Sequence, residues 1–228
     1  MLGVVNRLAR ALQRWRQGIP FIGAVIYRRV AMSLMHRVHR VVTEHVARSL
    51  RGGSVVDVGC GMGDLLVQLA DVVKGLRELI CLDISRAMVE IARRELVGRG
   101  RYSLVDIVIG DAHRLPLRSR SIDIVTCVGT LHHLKNPREF LQRCASTART
   151  ACLVYEFSHD VPTPLVDELR RELGEKVPRW LLKLVAALHG IPRNELEKLV
   201  ESLGIDAAIE SIGPLTVIAI ETPPRSAG

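Results

Sequence analysis

The stretch Val55–Asp64, which reads VVDVGCGMGD, decides the fold class. The apolar run Ser54–Val58 is bounded by glycines and predicts a parallel strand that is buried on both faces. It passes directly into a helix-forming stretch through Gly59, Gly61 and Gly63. Glycine lets the backbone take a positive φ and lets a ligand approach the main chain, and the helix start offers free N–H groups. The stretch therefore predicts a strand–turn–helix unit that binds a ligand.

The spacing of these glycines argues against a dinucleotide site. The dinucleotide pattern G-x-G-x-x-G starting at Gly59 requires a glycine at position 64, where the chain has Asp64. A start at Gly61 also fails, because position 66 is Leu66.

After residue 52 the chain alternates between short β-forming runs and amphipathic helical runs. Ser85 has the position and chemistry of a helix N-cap. The predicted strands are 54–58, 78–83, 104–109, 122–128 and 151–157, and the predicted helices between them are 63–74, 85–97 and 137–148. This alternation predicts an α/β fold with a Rossmann-like, doubly wound, mostly parallel sheet and right-handed crossovers.

The end of the chain departs from that alternation. The β-forming runs 207–212 and 215–220 are separated only by Gly213-Pro214. Because so short a connection holds no crossover helix, these two strands are expected to form an antiparallel hairpin that completes a seven-stranded sheet. Three further helices are predicted at 164–175, 179–189 and 193–203.

Acidic residues stand at or near the carboxyl ends of the first three predicted strands. Asp57 lies inside the first strand, where a buried carboxylate is costly unless it is paired. Asp83 ends the second strand, where a carboxylate can hold two ribose hydroxyls, and Asp111 follows the third, where it can accept from an adenine amino group. Each acid alone can also be a helix N-cap, but together with the glycine turn they indicate a ligand site at this edge of the sheet.

Four successive segments resemble the motifs of class I S-adenosylmethionine-dependent methyltransferases. They are VVDVGCGMGD, CLDIS at 81–85, GDAHRLPL at 110–117 and IDIVTCVGTLHHL at 122–134. The resemblance spans about residues 50–157 and is closest to the group that contains ubiquinone/menaquinone C-methyltransferases and many small-molecule enzymes. The terminal hairpin agrees with the reversed last strand of that family. One departure is STARTA at 146–151, which stands in place of the family's Leu-Lys-Pro-Gly-Gly-like turn.

The resemblance implies S-adenosylmethionine as cofactor and S-adenosylhomocysteine as product. It implies that Asp83 binds the ribose, Ile84 packs on the adenine, and Asp111 with Ala112 meets the adenine edge. Tyr27 reaches the methionine end if the N-terminal segment closes over the site. The other implied cofactor residues, which include those around the methionine portion, are Asp57, Gly59, Cys60, Gly61, Met88 and Val128.

The segment VGTLHHL at 128–134 follows the fourth predicted strand and is expected to border the reacting methyl group. Methyl transfer from a sulfonium needs mainly positioning, and a general base only where the acceptor must lose a proton. His133 is the candidate base and His132 the candidate substrate contact, although either can instead cap or pack the following helix. No Cys or acid cluster joins them in sequence, so no metal site is predicted.

The same segment disfavours two classes of acceptor. Methyltransferases that act on adenine amino groups or glutamine amides typically carry Asn/Asp-Pro-Pro-aromatic here, and this chain has CVGTLHH. Cys127 is interpreted as a buried strand residue and not as the nucleophile of a cytosine methyltransferase.

The net charge of +8 is concentrated at the N-terminus of the 228-residue chain. Residues 1–51 hold ten arginines and one acid, a net charge of +9, whereas residues 52–228 have a net charge of −1. We therefore divide the chain into a basic helical extension, 1–51, and a methyltransferase domain, 52–228. Helical spacing places two sets of residues on common faces: Val5, Leu8, Leu12 and Trp15 on one helix, and Val30, Leu34, Val38, Val41 and His45 on a second helix from Tyr27 to Leu50.

Four roles for the basic extension stay open. It can be a lid over the cofactor, an amphipathic anchor on an anionic membrane, an RNA-binding arm, or a structural cap with a solvated basic face. The apolar run WLLKLVAALH at 180–189 either forms another wall of the pocket or packs in a core or dimer interface.

Composition and cysteine usage limit the class of protein. Hydrophobic residues make up 48% and charged residues 25% of the chain, which is typical of a globular protein. No apolar run reaches the ~18 to 20 residues that cross a bilayer. The five cysteines form no C-x-x-C pair and are interpreted as buried free thiols in a reducing cytosol. We expect a cytoplasmic protein, with peripheral membrane contact if the extension is an anchor, and leave its oligomeric state open.

The sequence thus predicts a methyltransferase that acts on a small or lipid-like molecule at oxygen, nitrogen or carbon. Two alternatives remain. One is an RNA methyltransferase that uses the basic extension as its nucleic-acid contact, and the other is an S-adenosylmethionine-binding regulatory subunit without turnover.

Overall fold

The computed structural model of the chain describes residues 21–50, 52–158, 163–172, 178–180, 183, 190–212 and 215–222. Within them, seven strands form one sheet in the order β3-β2-β1-β4-β5-β7-β6. The strands are β1 (Gly53–Val58), β2 (Leu76–Asp83), β3 (Asp106–Ile109), β4 (Ile122–Val128), β5 (Ala148–Phe157), β6 (Ala208–Ile212) and β7 (Leu215–Glu221). The first five strands pair in parallel, and β7 is antiparallel to both β5 and β6. The predicted doubly wound sheet with a terminal antiparallel hairpin is confirmed.

Helices flank the sheet close to where the sequence pattern predicts them, except that the first described helix begins at Phe21 and not at the predicted Tyr27. They are α1 (Phe21–Ser49), α2 (Asp64–Val72), α3 (Arg86–Gly98), α4 (Pro137–Thr147), α5 (Thr163–Glu172) and α6 (Arg193–Glu201). The Ser85 hydroxyl accepts from the Met88 backbone N–H at 3.3 Å, so the predicted N-cap of α3 is confirmed. Helix α4 ends at Thr147 and β5 starts at Ala148, so the STARTA stretch joins helix to strand without an intervening turn.

Both faces of the sheet are covered by apolar side chains. All six residues of β1 are buried, as its uninterrupted apolar run predicts for a central parallel strand. On one face, Val55 and Ile124 pack with residues of α1, α2 and α3. On the other face, Val56 and Val125 pack with Phe140 and Leu141 of α4 and with α6. The sheet is thereby buried on both faces, as expected for a doubly wound fold.

Helix α1 packs against α2 and contributes a buried apolar face to the core. That face contains Met35, Val38, Val42, Val46 and Leu50. The predicted face was wrong in its phase after Val38, because Val41 and His45 are only half-buried. His45 instead forms a hydrogen bond of 2.8 Å between its Nδ1 and the Tyr155 hydroxyl on β5.

Several predictions about the N-terminal and C-terminal segments lie outside the described residues. Residues 5–16 and most of the predicted helix 179–189 are outside them, and for Tyr27, Val30 and Leu34 the description covers the backbone of α1 alone. Among the described helices, none combines the length and apolar character of a membrane-crossing segment. The division at residue 51 and the cytoplasmic location therefore remain predictions.

The prediction that all five cysteines are free thiols was wrong for two of them. Cys60, in the glycine turn, forms a disulfide with Cys81 on β2, and their Cα atoms lie 5.2 Å apart. The pairing follows from the fold: the Cys60 backbone N–H donates to the Leu82 carbonyl at 3.2 Å, which brings it beside the end of the neighbouring strand. The remaining three, Cys127, Cys144 and Cys152, are free and buried as predicted.

Candidate functional site

The glycine turn after β1 is fixed on the adjacent strand by its own backbone. The Gly59 N–H donates to the Leu82 carbonyl at 2.7 Å, and the Gly63 N–H donates to the Cys60 carbonyl at 2.8 Å. Gly59 has a φ of +77°, and a Cβ there would meet the Thr130 hydroxyl oxygen at 2.3 Å. No residue other than glycine fits this position, because the turn lies against the segment that follows β4.

Asp83 links the end of β2 to the glycine turn. Its Oδ2 accepts from the Gly61 N–H at 3.1 Å, and its Oδ1 accepts from the Ser85 N–H at 2.8 Å. Burial raises the pKa of Asp83, although the backbone hydrogen bonds from Ser85, Gly61 and Ile84 oppose that effect. The carboxylate is thus held at the strand end, where a ligand would meet it.

Asp57 is a carboxylate in the interior of the sheet, with 2% of its surface exposed. Burial raises the pKa of Asp57 from its usual 3.8 to about 6, against the opposing charge of His39 and a hydrogen bond from Thr126. The Thr126 hydroxyl donates to Asp57 Oδ1 at 2.9 Å. The negative charge of Asp83 adds to the rise in the pKa of Asp57. The site therefore carries a buried negative charge that a cation would stabilise.

Asp111 and His113 form a hydrogen-bonded pair after β3. Asp111 Oδ1 accepts from the His113 backbone N–H at 2.9 Å and from His113 Nδ1 at 2.8 Å. The Asn136 N–H donates to His113 Nε2 at 3.2 Å, so the proton of a neutral His113 sits on Nδ1. Burial tends to raise the pKa of Asp111, but the two His113 hydrogen bonds outweigh it and hold that pKa below its usual value. The pair connects the loop after β3 to the start of α4.

The other residues assigned to the cofactor by resemblance fall in two groups. Ile84, directly after Asp83, leaves 40% of its surface exposed and offers an apolar face at the strand end. A Cβ added to Gly61 would lie 3.3 Å from the Met88 Cε, so Met88 lines the turn. The buried members of the set are Cys60, Met88, Ala112 and Val128. Their contact with a cofactor stays a prediction.

The two adjacent histidines after β4 differ in their environment. His132 is buried, and both its backbone N–H and its Nδ1 contact the Glu156 carboxylate, at 3.1 and 2.9 Å. His133 is half-buried, and the centroid of its ring lies 4.0 Å from that of His132. Of the two, His133 is therefore the more exposed, and the roles of His133 as base and His132 as substrate contact stay predictions.

A second charged cluster joins the N-terminal helix to the glycine turn. The Asp64 carboxylate, at the start of α2, contacts His36 and His39 of α1 at 3.0 Å, Gln68 at 2.8 Å and Arg99 at 3.2 Å. Burial alone would raise the pKa of Asp64, but the hydrogen bonds and charges of His39 and His36 outweigh it and hold the pKa well below its usual range. This cluster connects α1 to the start of α2, directly after the glycine turn. Within the described part of the chain, no group of His, Cys, Asp and Glu residues has the arrangement of a metal site.

Sequence reasoning missed Glu156, His113 and the role of Asp64. An acid within an otherwise apolar strand, as in LVYEF at 153–157, is the same signal that singled out Asp57 and could have identified Glu156. Three partners of Asp64 are distant in sequence: His39 and His36 lie 25 and 28 residues upstream on α1, and Arg99 lies 35 residues downstream, directly after α3. No local pattern reveals these three.

Comparison with known proteins gives this geometry a family context. The family model described as a methyltransferase domain matches residues 56–155. The chain is 29% identical over 126 residues to a ubiquinone/menaquinone biosynthesis C-methyltransferase of Azotobacter vinelandii, which covers 54% of this chain and 50% of that protein. It is 25% identical over 142 residues to the ajmaline N-methyltransferase of Rauvolfia serpentina, covering 58% of this chain and 47% of that protein. The chain thus matches about half the length of these curated relatives.

Solved structures share the fold. A Methanococcus maripaludis protein assigned to the S-adenosyl-L-methionine-dependent methyltransferases has a TM-score of 0.74 and 18% identity, covering 93% of this chain and 97% of that one. The magnesium protoporphyrin IX methyltransferase of Synechocystis, solved with bound S-adenosylmethionine, has a TM-score of 0.57 and 18% identity, covering 83% of this chain and 80% of that one. At this identity the similarity establishes the architecture alone.

Proposed function

Because the chain belongs to the class I S-adenosylmethionine-dependent methyltransferase family, we propose that it transfers a methyl group to a small or lipid-like acceptor. S-adenosylmethionine supplies the activated methyl group and leaves as S-adenosylhomocysteine. The chain's own residues bind the cofactor, orient the acceptor and keep water out of the transfer site.

The observation that carries the proposal is the pair of acids Asp57 and Asp83 beside the glycine turn. The methionine end of the cofactor carries an ammonium and a sulfonium. Asp57 supplies a buried carboxylate near it, and because burial raises the pKa of Asp57 to about 6, a bound cation would stabilise the ionised form. Asp83 holds its carboxylate at the end of β2 through the Gly61 and Ser85 N–H groups, in reach of ribose hydroxyls. These residues fit the cofactor on the chemistry of their donors and acceptors.

The adenine end of the cofactor fits the residues that follow β2 and β3. Ile84 offers exposed apolar surface next to Asp83, and Asp111 is held in place by His113. Because Asp111 Oδ1 takes both His113 hydrogen bonds and 39% of the side chain is exposed, the carboxylate has capacity to accept from an adenine amino group. In this assignment Asp57 of β1 meets the methionine end of the cofactor, Asp83 of β2 meets the ribose, and Asp111 after β3 meets the adenine.

We assign the acceptor side of the site to the segment after β4. His133 is half-buried there and is our candidate for taking a proton from an acceptor hydroxyl, amine or acidic carbon. Two features support a small or lipid-like acceptor. The segment lacks the Asn/Asp-Pro-Pro-aromatic sequence, and several similar proteins are named for ubiquinone/menaquinone biosynthesis, ajmaline or magnesium protoporphyrin IX.

RNA is the second candidate acceptor, and the observation that favours it is the basic surface of α1. Arg40 and Arg48 are exposed on that helix, within the segment whose net charge is +9. The same arginines would serve an anionic membrane, and a lid role would bring Tyr27 toward the methionine end. Exposed arginines alone do not discriminate among these roles, so the acceptor must be identified directly.

The test uses S-adenosylmethionine with a tritiated methyl group and the full chain. The protein is incubated with separate pools of RNA, extracted lipids and small molecules, and the label in each pool is counted. Label in the lipid or small-molecule pool supports the proposal, whereas label in RNA alone contradicts it. Absence of label from every pool, with cofactor binding intact, would instead favour a regulatory subunit without turnover.

A further inference from the structure

Glu156 is a fully buried acid near the end of β5 that the cofactor site does not use. Its exposed fraction is 0%. Its carboxylate accepts three hydrogen bonds: from the His132 backbone N–H at 3.1 Å, from His132 Nδ1 at 2.9 Å, and from the Phe157 backbone N–H at 3.0 Å. Two of the three come from His132, so Glu156 fixes both the backbone and the ring of that residue.

Burying a carboxyl group costs folding free energy, which hydrogen bonds from the protein must offset. An ionised carboxylate inside a protein loses its hydration, and hydrogen bonds from the protein only offset that loss. A neutral side chain of similar size would fill the same space without that cost. The carboxyl group contacts both the backbone N–H and the ring of His132, so Glu156 arranges the segment that follows β4.

The contact also decides which nitrogen of His132 carries a proton. Both carboxyl oxygens of Glu156 accept backbone N–H groups, from His132 and from Phe157, so we assign the proton of the 2.9 Å contact to His132 Nδ1. The His132 ring is then held in one orientation by Glu156. Because the His133 ring lies with its centroid 4.0 Å from that of His132 and tilted by 43°, the orientation of His132 limits the positions open to His133.

We propose that Glu156 is a positioning residue that acts through His132 to orient the His133 ring toward the methyl acceptor. This inference rests on the proposed function, since it assigns His133 to the acceptor side of the site. Glu156 itself touches neither acceptor nor cofactor. It fixes the proton on His132 Nδ1, and the packed His132 ring then supports His133.

The first measurement needs no variant. Nitrogen-15 NMR of the histidine rings in the wild-type protein reports which nitrogens carry protons. The structure predicts a proton on His132 Nδ1 and a proton–proton contact between the His132 and His133 rings. A bare Nδ1 with the proton on Nε2 would overturn the inference, whatever the enzyme's activity.

The second measurement uses Glu156→Gln, Glu156→Asp and, as a matched control, Glu221→Gln at the exposed end of β7. In Glu156→Gln the amide nitrogen must face a backbone N–H in either orientation, that of His132 or that of Phe157, so at least one of the three hydrogen bonds is lost. We expect Glu156→Gln to lower kcat about tenfold to hundredfold, with the Kd for S-adenosylmethionine within about twofold of wild type. Glu156→Asp keeps the carboxylate and should restore the Nδ1 proton and part of kcat, and Glu221→Gln should match wild type.

Two results would contradict the inference: an unchanged kcat in Glu156→Gln, or a lost kcat in a Glu156→Gln protein whose His132 proton and ring contact with His133 are those of the wild type. Failure of the proposed function is recognised separately. If the wild type labels no acceptor pool, the His132 tautomer and the contact between the two rings still show whether Glu156 positions this segment.

Discussion

The Gly61 backbone N–H donates a hydrogen bond of 3.1 Å to Asp83 Oδ2, which joins the glycine turn after β1 to the end of β2. Gly61 has a φ of +54°, and Met88 lies against it from α3. One peptide group therefore fixes both the turn and the carboxylate that we assign to the ribose.

Replacing this glycine should disturb both functions of the turn. Gly61→Ala places a Cβ at 3.3 Å from the Met88 Cε and forces alanine into the left-handed region, which costs roughly 1–2 kcal/mol. We expect a weaker affinity for S-adenosylmethionine, measured by calorimetry, and a lower free energy of unfolding. Gly98→Ala is the matched control, because a Cβ at Gly98 meets nothing within 4 Å. Equal affinities of the two variants would show that the turn does not contact the cofactor.

Cofactor binding should weaken as the pH falls through about 6, because that is the pKa to which burial raises Asp57. Below this pH the carboxyl is neutral and no longer attracts the cationic methionine end. The pH dependence of Kd, measured by calorimetry, checks the prediction, and Asp57→Asn should bind weakly and lose this dependence. A Kd that is independent of pH between 5 and 7.5 in the wild type would place the cofactor's positive charge elsewhere.

The same carboxylate should lower the stability of the free protein at neutral pH. The folded state binds the Asp57 proton up to about pH 6 and the unfolded state only to about 3.8, so stability falls as the pH rises through that interval. About two pKa units correspond to roughly 3 kcal/mol. Asp57→Asn keeps an acceptor for Thr126 and should unfold at higher urea concentration than wild type at pH 7, with the two proteins converging near pH 4. A destabilised Asn variant at pH 7 would mean that the ionised group is compensated in the folded state.

Asp64 should have the opposite pH dependence. Burial opposes ionisation of Asp64, but its contacts with His39 and His36 hold its folded-state pKa below the unfolded value. Its contribution to stability is therefore present above the unfolded pKa and is lost as the pH falls through the folded one. Asp64→Asn should lower the free energy of unfolding by about 2 kcal/mol at pH 7, with little difference from wild type in strong acid. Urea unfolding at several pH values measures this, and Asp106→Asn, at an exposed acid on β3, is the control. A similar loss in the control would refute a specific role for the cluster.

The disulfide between Cys60 and Cys81 should make stability sensitive to reducing agents. Closing a loop between residues 21 apart in sequence restricts the unfolded chain, which corresponds to about 3 kcal/mol. We expect reductant to shift the urea midpoint of the wild type downward and to leave the double variant Cys60→Ser, Cys81→Ser unaffected. The three remaining cysteines are free and buried, so the double variant isolates the bridge. A wild-type midpoint that reductant does not change would contradict a stabilising bridge.

The sequence was sufficient for the sheet because each strand carries its own local signal. The buried run of β1, the N-cap Ser85 and the short connection between β6 and β7 all depend on neighbouring residues. The positions of Asp57 inside β1, Asp83 at the end of β2 and Asp111 shortly after β3 followed from the same pattern.

Contacts between segments that are distant in the chain could not be predicted from local sequence patterns. The Cys60–Cys81 bridge depends on the pairing of β1 with β2, and the Asp64 cluster depends on how α1 packs on α2. The buried face of α1 was predicted with the wrong phase after Val38, because apolar spacing alone does not record that His36 and His39 turn toward Asp64. Glu156 is an intermediate case, since its place in an apolar strand marks it as unusual but does not reveal His132 as its partner.

The most direct test of the cofactor site is calorimetric titration of S-adenosylmethionine into the wild type, Asp83→Ala and Asp106→Ala. Asp83 lies at the carboxyl end of β2 beside the glycine turn, and Asp106 is an exposed acid at the opposite end of the neighbouring strand β3. We predict binding by the wild type, unchanged affinity in Asp106→Ala, and an affinity reduced at least about tenfold in Asp83→Ala, as expected for loss of charge-assisted hydrogen bonds. Absence of binding by the wild type, or equal affinities of the three proteins, would contradict the assignment of this edge of the sheet to the cofactor.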